Sequence, residues 1–420
     1  MKKLFVSVIF LIFLTGLAGC GEKVQEDFVT LRVLGKTTTN LAIEEAAYRF
    51  EKLHTNVKIE YEYMQNYDAL LEKRLSCDAP EVDLFLNTGI VEGNPLAKYC
   101  VNLLDIESEK NLAFDYSDSL DCIVKPYINE HMHSIPLMAM VYGVYVNKTL
   151  LNHYGINVPS NYAKFMSALE FVKEKGYVPI HGNPMEIAAS FAFSGVCLEL
   201  EKKGKADIDD LYGNAENIDT AEIFAIFNDY VDKGYIVLND PIVDVNDGNY
   251  ELGYNDNDEM ARSFFNIKYD ETERKYKKCD DLGRVPFLIA STEFAETLNN
   301  CKQNYSSEIE YEFILLPISE ASGYAYILPT HAISICKTSE NIDYAVEFLN
   351  FMFSKEENVN IANVSGEFPN VYDINKYINQ RLGVPEKFIF EYGKLEFKKD
   401  EYGFLNFVFK EADKIYGMER

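Results

Sequence analysis

The stretch SIPLMAMVYGVYVNKTLLNHYGINVP, Ser134–Pro159, decides how this chain is read. Leu137–Val146 is apolar almost without a break and includes Met138, Val141, Tyr142, Val144, Tyr145 and Val146. Such a run is too continuous for a surface strand and falls short of the roughly 20 residues that a membrane helix needs. It predicts a buried strand carrying the chain from one globular unit to the next. A short helix is expected over Asn147–Tyr154, closed by Gly155 where a left-handed cap is usual, with Ser160 placed to cap the next helix.

Working outward towards the N-terminus, Phe28–Leu34 reads as a strand and Gly35–Asn40 as a hydroxyl-rich break. Ile43, Ala46, Ala47 and Phe50 then fall at the spacing of a helix stripe. Val57, Ile59, Tyr61 and Tyr63 alternate with Lys58, Glu60 and Glu62 as a strand with one wet face. A helix over Asp68–Ser76 leads to a third strand, Glu81–Leu86. Strand–helix–strand–helix–strand is the pattern of a parallel α/β sheet, whose ligands collect at the carboxyl ends of strands. Those ends here are Lys36–Asn40, Met64–Tyr67 and Asn87–Ile90.

Towards the C-terminus, Phe165, Ala168, Leu169 and Val172 form a helix stripe ended by Gly176, and Tyr177–His181 reads as a strand. Ile223, Ile226, Phe227 and Tyr230 imply a further helix, closed by Gly234. Residues 239–282 are acidic and Asn-rich and read as solvated surface. The calcium-loop pattern fails there, because aligning Gly248 with its glycine puts Val243 and Val245 at oxygen-ligand positions. Strands are expected over Arg284–Ala290, Tyr311–Leu316 and Ala332–Ile335, a helix around Ala345–Met352, and a turn at Gly366–Asn370.

The 420 residues suffice for two core-bearing lobes. With a net charge of −27, the chain lacks the basic footprint that nucleic-acid binding requires. It has no Trp but 29 Tyr and 28 Phe, so any aromatic platform for a ligand is Tyr or Phe. Lys2 and Lys3 precede an apolar Leu4–Leu14, and Leu17-Ala18-Gly19-Cys20 resembles the bacterial lipobox. That resemblance implies a leader over 1–19, a lipid on Cys20, a tether to residue 27, and a protein held to the outer side of the cell membrane. The remaining cysteines, Cys77, Cys100, Cys122, Cys197, Cys279, Cys301 and Cys336, are scattered singly and are expected to be mostly free, buried thiols. His131 and His133 flank Met132 and read as a solvated pair. Neither a metal site nor a cofactor site is read from the chain.

The order of these features resembles the family 1 extracellular solute-binding proteins of ABC importers, the group that includes maltodextrin-binding proteins. The resemblance is carried by the lipobox, by Arg49-Phe50-Glu51-Lys52-Leu53-His54-Thr55-Asn56-Val57-Lys58-Ile59, by Ala79–Leu84 and by Ile135-Pro136-Leu137. It continues through Tyr145-Val146-Asn147-Lys148, Tyr154–Pro159, Lys175–Ile180, Phe287–Ser291 and Tyr344–Leu349. The chain departs from the family's usual residues at Glu81-Val82-Asp83, at Phe294 in place of a Trp, and at Pro159-Ser160-Asn161-Tyr162.

What the resemblance implies is a two-lobed, periplasmic-binding-protein-like α/β fold with several hinge crossings and a ligand cleft between the lobes. The expected lobes are 28–137 with 313–364, and 138–312 with 365–420. The family's ligand-facing positions fall on Thr38, Asn40, Asn87, Thr88, Met185, Glu186, Phe294 and Phe368, to which Tyr142, Tyr324 and Tyr326 are added for their polarity and position. The implied activity is capture of a small solute, a carbohydrate first of all, by a monomeric receptor serving the membrane subunits of an ABC transporter. The acidic balance leaves open a polyamine, a peptide or another cationic solute. An exported glycoside hydrolase is the remaining alternative, although GxSxG, HExxH and phosphate-cradling motifs are absent.

Overall fold

Strand β1 (Val29–Gly35) leads through helix α1 (Asn40–Leu53) to β2 (Val57–Tyr63), and through α2 (Tyr67–Leu75) to β3 (Leu84–Asn87). The computed structural model describes residues 28–35, 40–77, 80–87, 89–90, 94–106, 109–117, 119, 131–205, 208–213, 217–238, 257–318, 323–325, 327–365, 368–370, 388–390, 408, 410–412 and 414–415. The expected helix stripe holds, with Ile43, Ala46, Ala47 and Phe50 all buried. On β2, Val57 and Ile59 are buried while Lys58 and Glu60 face solvent. β1 lies parallel to both neighbours, Val33 pairing with Tyr61 on one side and with Leu84 on the other.

The decisive stretch forms β4 (Ile135–Asn147), followed by α3 (Lys148–His153) and α4 (Tyr162–Glu174). Gly155 has φ +72°, the left-handed cap expected of it. The cap of α4 is Asn161 and not Ser160: its side-chain oxygen accepts from Lys164 N at 2.9 Å. Next come β5 (Ile180–Gly182), α5 (Pro184–Lys203) and α6 (Ile208–Tyr212). The single helix expected around 223–230 is two, α7 (Thr220–Ile223) and α8 (Ala225–Asp232), with Phe224 capping one and opening the other.

Within the acidic 239–282 stretch, residues 257–282 are not simply a solvated surface. They form α9 (Asn257–Phe264) and a hairpin of β6 (Ile267–Asp270) and β7 (Lys275–Lys278), and Met260, Ala261, Phe264 and Phe265 are buried. Residues 239–256, tested as a calcium loop, lie outside the described residues. The chain continues through β8 (Phe287–Ser291), α10 (Phe294–Asn304), β9 (Tyr311–Ile314), β10 (Gly323–Ala325), β11 (Ile327–Ile335), α11 (Ile342–Met352), α12 (Lys355–Ser365), β12 (Phe368–Pro369) and β13 (Phe388–Phe390). The expected turn at 366–370 is therefore in part a strand, with Phe368 paired to Ala139.

The main sheet runs β2-β1-β3-β11-β4-β8-β5, with β9 and β12 also paired to β4. On one side, an apolar core gathers β1–β3, α1, α11, α12 and the start of β4 as far as Met138, and a smaller cluster packs α2 with Leu34, Phe85, Cys100 and Cys336. Two clusters make up the other side. One gathers around α4, α5 and α8, with Val408 and Ala412 near the C-terminus packed into it; the other gathers around α9 and α10 and begins at Ala139 of β4. The chain thus adopts a two-lobed α/β fold in which β4 serves both cores.

Candidate ligand-binding site

Partner exchange on β4 marks the candidate site. From Ile135 to Val141 the strand runs antiparallel to β11, with β12 against Met138 and Ala139. From Tyr142 onward it pairs instead with β8, and from Val144 with β9. Val141 and Tyr142 are consecutive, so both edges of the strand change neighbours within a few residues. Thr292, just beyond β8, closes the junction: its Oγ1 accepts from Val141 N at 3.3 Å and its own N donates to Val141 O at 3.0 Å.

Three further elements meet β4 along its length. Helix α5 packs against β10, β4 and β8, β10 packs against β4, and α12 packs against both β12 and β4. The turn from β5 into α5 carries the polar groups. Asn183 caps α5 by accepting from Met185 N at 2.9 Å, and Pro184 fits the first helical position, where no backbone donor is needed. Met185 and Glu186 fill the first turn, Met185 packing at the edge of the second core.

Glu186 keeps part of its surface exposed, yet its Oε2 is enclosed and has no hydrogen-bond partner. Burial pushes its carboxyl up to about 8. A helix N-terminus favours a carboxylate, so desolvation outweighs the dipole here and the group is mostly neutral at pH 7. A neutral carboxyl offers one donor and one acceptor to a solute hydroxyl.

Tyr142 is half-buried at the junction, opposite Ser291 and against the second core. Tyr324 lies on β10, which packs against β4, the backbone of Phe368 pairs with Ala139 of β4, and Asn40 opens α1. Thr38, Thr88, Tyr326 and the proposed lipid attachment residue Cys20 lie outside the described residues.

Two expected ligand residues already serve the fold. Asn87 is buried, donating to Ser334 Oγ at 3.0 Å and accepting from Gly89 N at 2.9 Å. Phe294 is buried edge-on against Tyr145, with ring centroids 6.0 Å apart. The sequence reading missed Tyr67, whose hydroxyl reaches the carbonyls ending β1 and β3 at Leu34 and Leu86. It also missed buried His181 and Asn183 beside Glu186. The Asn-Pro pair before the apolar run of α5 was a legible cap signal.

His131 is exposed, with Nδ1 3.1 Å from Asn102 Nδ2 and its ring centroid 5.6 Å from that of His133. Among the described residues no group of three or more His, Cys, Asp or Glu is arranged to hold a metal, and no helix is long and apolar enough to cross a membrane.

Comparison with known proteins gives one consistent picture. Residues 35–359 match the family model described as bacterial extracellular solute-binding protein. A multiple sugar-binding protein of Streptococcus mutans serotype c is 24% identical over 170 residues, which span 39% of this chain and 39% of that relative's length. The GacH receptor of Streptomyces glaucescens, solved unliganded and with acarbose, superposes with a TM-score of 0.61 at 14% identity, covering 93% of this chain and 94% of the receptor. A family 1 extracellular solute-binding protein from Bifidobacterium longum subsp. infantis also gives 0.61 at 14% identity, covering 93% and 95%. At such identities the likeness to the two structures is one of fold.

Proposed function

The chain belongs to the bacterial extracellular solute-binding protein family, whose members are receptors and not enzymes, and from that premise we propose that it captures a carbohydrate between its lobes and delivers it to the membrane subunits of an ABC transporter. The observation that carries this reading is the exchange of partners on β4 at Val141 and Tyr142, with Tyr142 and Met185 of the first turn of α5 packed against the same core. A ring beside amide and carboxyl groups is what a sugar, with one apolar face and a rim of hydroxyls, would use. The sugar named for the Streptococcus mutans relative and the acarbose bound by GacH point the same way.

In this reading Tyr142, Met185 and Glu186 contact the solute, joined by Thr38, Asn40, Thr88, Tyr324, Tyr326 and Phe368; Asn87 and Phe294 support the walls. The lobes are taken as 28–137 with 313–364 and 138–312 with 365–420. The packing of Phe313 to Leu316 and Ile318 on the second side favours one change to that division, a return crossing beyond Ile318. The ligand stabilises the shut form to the extent that it touches both lobes only there. A lipid on Cys20 holds the receptor at the outer face of the cell membrane, and Cys20→Ser is expected to release the protein into the soluble fraction.

A second reading, a polyamine or other cationic solute, draws on the charge of −27 and on the unpartnered oxygen of Glu186. Calorimetry against neutral oligosaccharides, polyamines and peptides separates the two. The carbohydrate reading expects oligosaccharide binding that Tyr142→Ala weakens at least tenfold. Binding of cations alone, with proton release as Glu186 ionises, would replace it.

A further inference from the structure

We propose that Cys100 and Cys336 join in a disulfide when the protein meets a disulfide oxidant outside the cytoplasm. Cys100 follows a one-turn 3-10 helix at Pro95–Tyr99, and Cys336 directly follows β11. The two residues face each other in an antiparallel bridge. The backbone bonds around them, Val101 N to Ile335 O at 3.0 Å and Lys337 N to Tyr99 O at 2.7 Å, flank the pair and do not link it. That makes it a non-hydrogen-bonded pair, the register in which opposed side chains come closest and the Cα atoms stand about 4.5 Å apart. Disulfides span Cα separations of roughly 4.4 to 6.8 Å.

Both thiols are buried, at 4% and 1% exposure, in one apolar cluster. Their polar contacts are weak ones: Cys100 Sγ lies 3.3 Å from Leu96 O, and Cys336 Sγ 3.3 Å from Thr338 Oγ1. Cys77 and Cys279 are exposed, and Cys197 and Cys301 lie in different clusters of the other side. Among the described residues no other two cysteines face each other across a strand pair. An extracellular family works where disulfides persist.

Oxidised glutathione balances the step. One protein thiol loses its proton and attacks a glutathione sulfur, releasing one glutathione thiolate. The second protein thiol then attacks the mixed disulfide at the protein sulfur and releases the other. One S–S bond breaks and one forms, and the two protein thiols lose two protons and two electrons to the two glutathiones. Burial pushes the Cys100 thiol up to about 12, so exchange starts from a transiently opened state and is slow. The link would tie the segment after β3 to the end of the return strand and enclose most of the second side in one loop, raising the thermal midpoint by roughly 5–10 °C.

The test is a peptide map of the full-length mature protein, reduced, then incubated with oxidised glutathione, alkylated in denaturant and digested without reductant. A peptide pair joined through Cys100 and Cys336 is expected, together with the higher thermal midpoint. Cys77→Ser and Cys279→Ser should leave both unchanged, while Cys100→Ser or Cys336→Ser should abolish both. Recovery of Cys100 and Cys336 as alkylated or glutathione-bound residues, or paired with other cysteines, overturns the proposal. The map of the unmutated protein decides this even if the serine variants fold poorly.

Discussion

Residues 135–141 of β4 lie between β11 and β12, and residues 142–147 between β9 and β8. Both segments are apolar, yet they are held differently. The first is pinned by polar side chains from distant sequence: Asn358 donates to Leu137 O at 2.9 Å, and Asn370 donates to Pro136 O. Its lobe is tied likewise, by a forked contact of Arg49 on α1 with Glu357 on α12 at 2.7 and 2.9 Å. Asp83 accepts from Arg32 N, Ser339 Oγ and Asn341 Nδ2. The second segment is held more by rings, with Tyr145 edge-on to Phe313, Phe294 and Tyr311, and Gly143 pressed against Phe313, although Asn147 Nδ2 also donates to Leu282 O at 2.8 Å. Directional polar pins fix the register of the first segment, whereas the second relies more on the fit of its rings.

This contrast can be broken at four places. The largest expected effect is in the polar lobe: Arg49→Met leaves Glu357, with only 5% of its side chain exposed, as an unpaired carboxylate. Chemical denaturation should show a loss of about 3 kcal/mol, and a loss near zero would mean that the ion pair is not a pin. Next, Gly143→Ala places a Cβ 2.5 Å from the Phe313 ring and 2.6 Å from Ile314 O, a backbone atom that cannot yield. A cost of about 2–3 kcal/mol is expected in the same measurement.

Third, Glu186 is the polar misfit of the aromatic side. Its carboxyl titrates near 8 in the folded chain, above its unfolded value, so the unfolded state ionises first as pH rises. Stability is full below about pH 4.5 and falls until about pH 8. Glu186→Gln should remove this slope and gain about 2 kcal/mol above pH 8, allowing for the group's partial exposure. Identical pH profiles for the two proteins would show that the carboxyl is hydrated. The smallest effect is Tyr145→Phe, which removes a hydroxyl 3.0 Å from Ser291 O and costs about 1 kcal/mol; a thermal scan suffices to detect it.

Periodicity revealed most elements because burial and spacing coincide, as in Ile43, Ala46, Ala47 and Phe50 or the alternation along β2. What it could not reveal was pairing across long separations. Nothing local in Ile135–Asn147 says that its partners change at Val141, since both segments are equally apolar. The same limit explains Phe294 and Asn87, whose types suit a ligand but whose neighbours, Tyr145 and Ser334, come from elsewhere in the chain. Met260 and Phe264 were hidden for another reason: acidic residues on one side of a short helix masked a buried side.

At the Val141–Tyr142 step β4 exchanges its pairing partners across a single peptide bond. Beside it, β11 runs back antiparallel, so the outgoing and returning chains form a ribbon. A paired ribbon of this kind resists stretching more than torsion. Because side chains alternate, one residue inserted before Val141 would exchange the faces of residues 135–140 of β4 against β11 while residues 142–147 kept their register with β8 and β9. This strand therefore tolerates a change of length poorly.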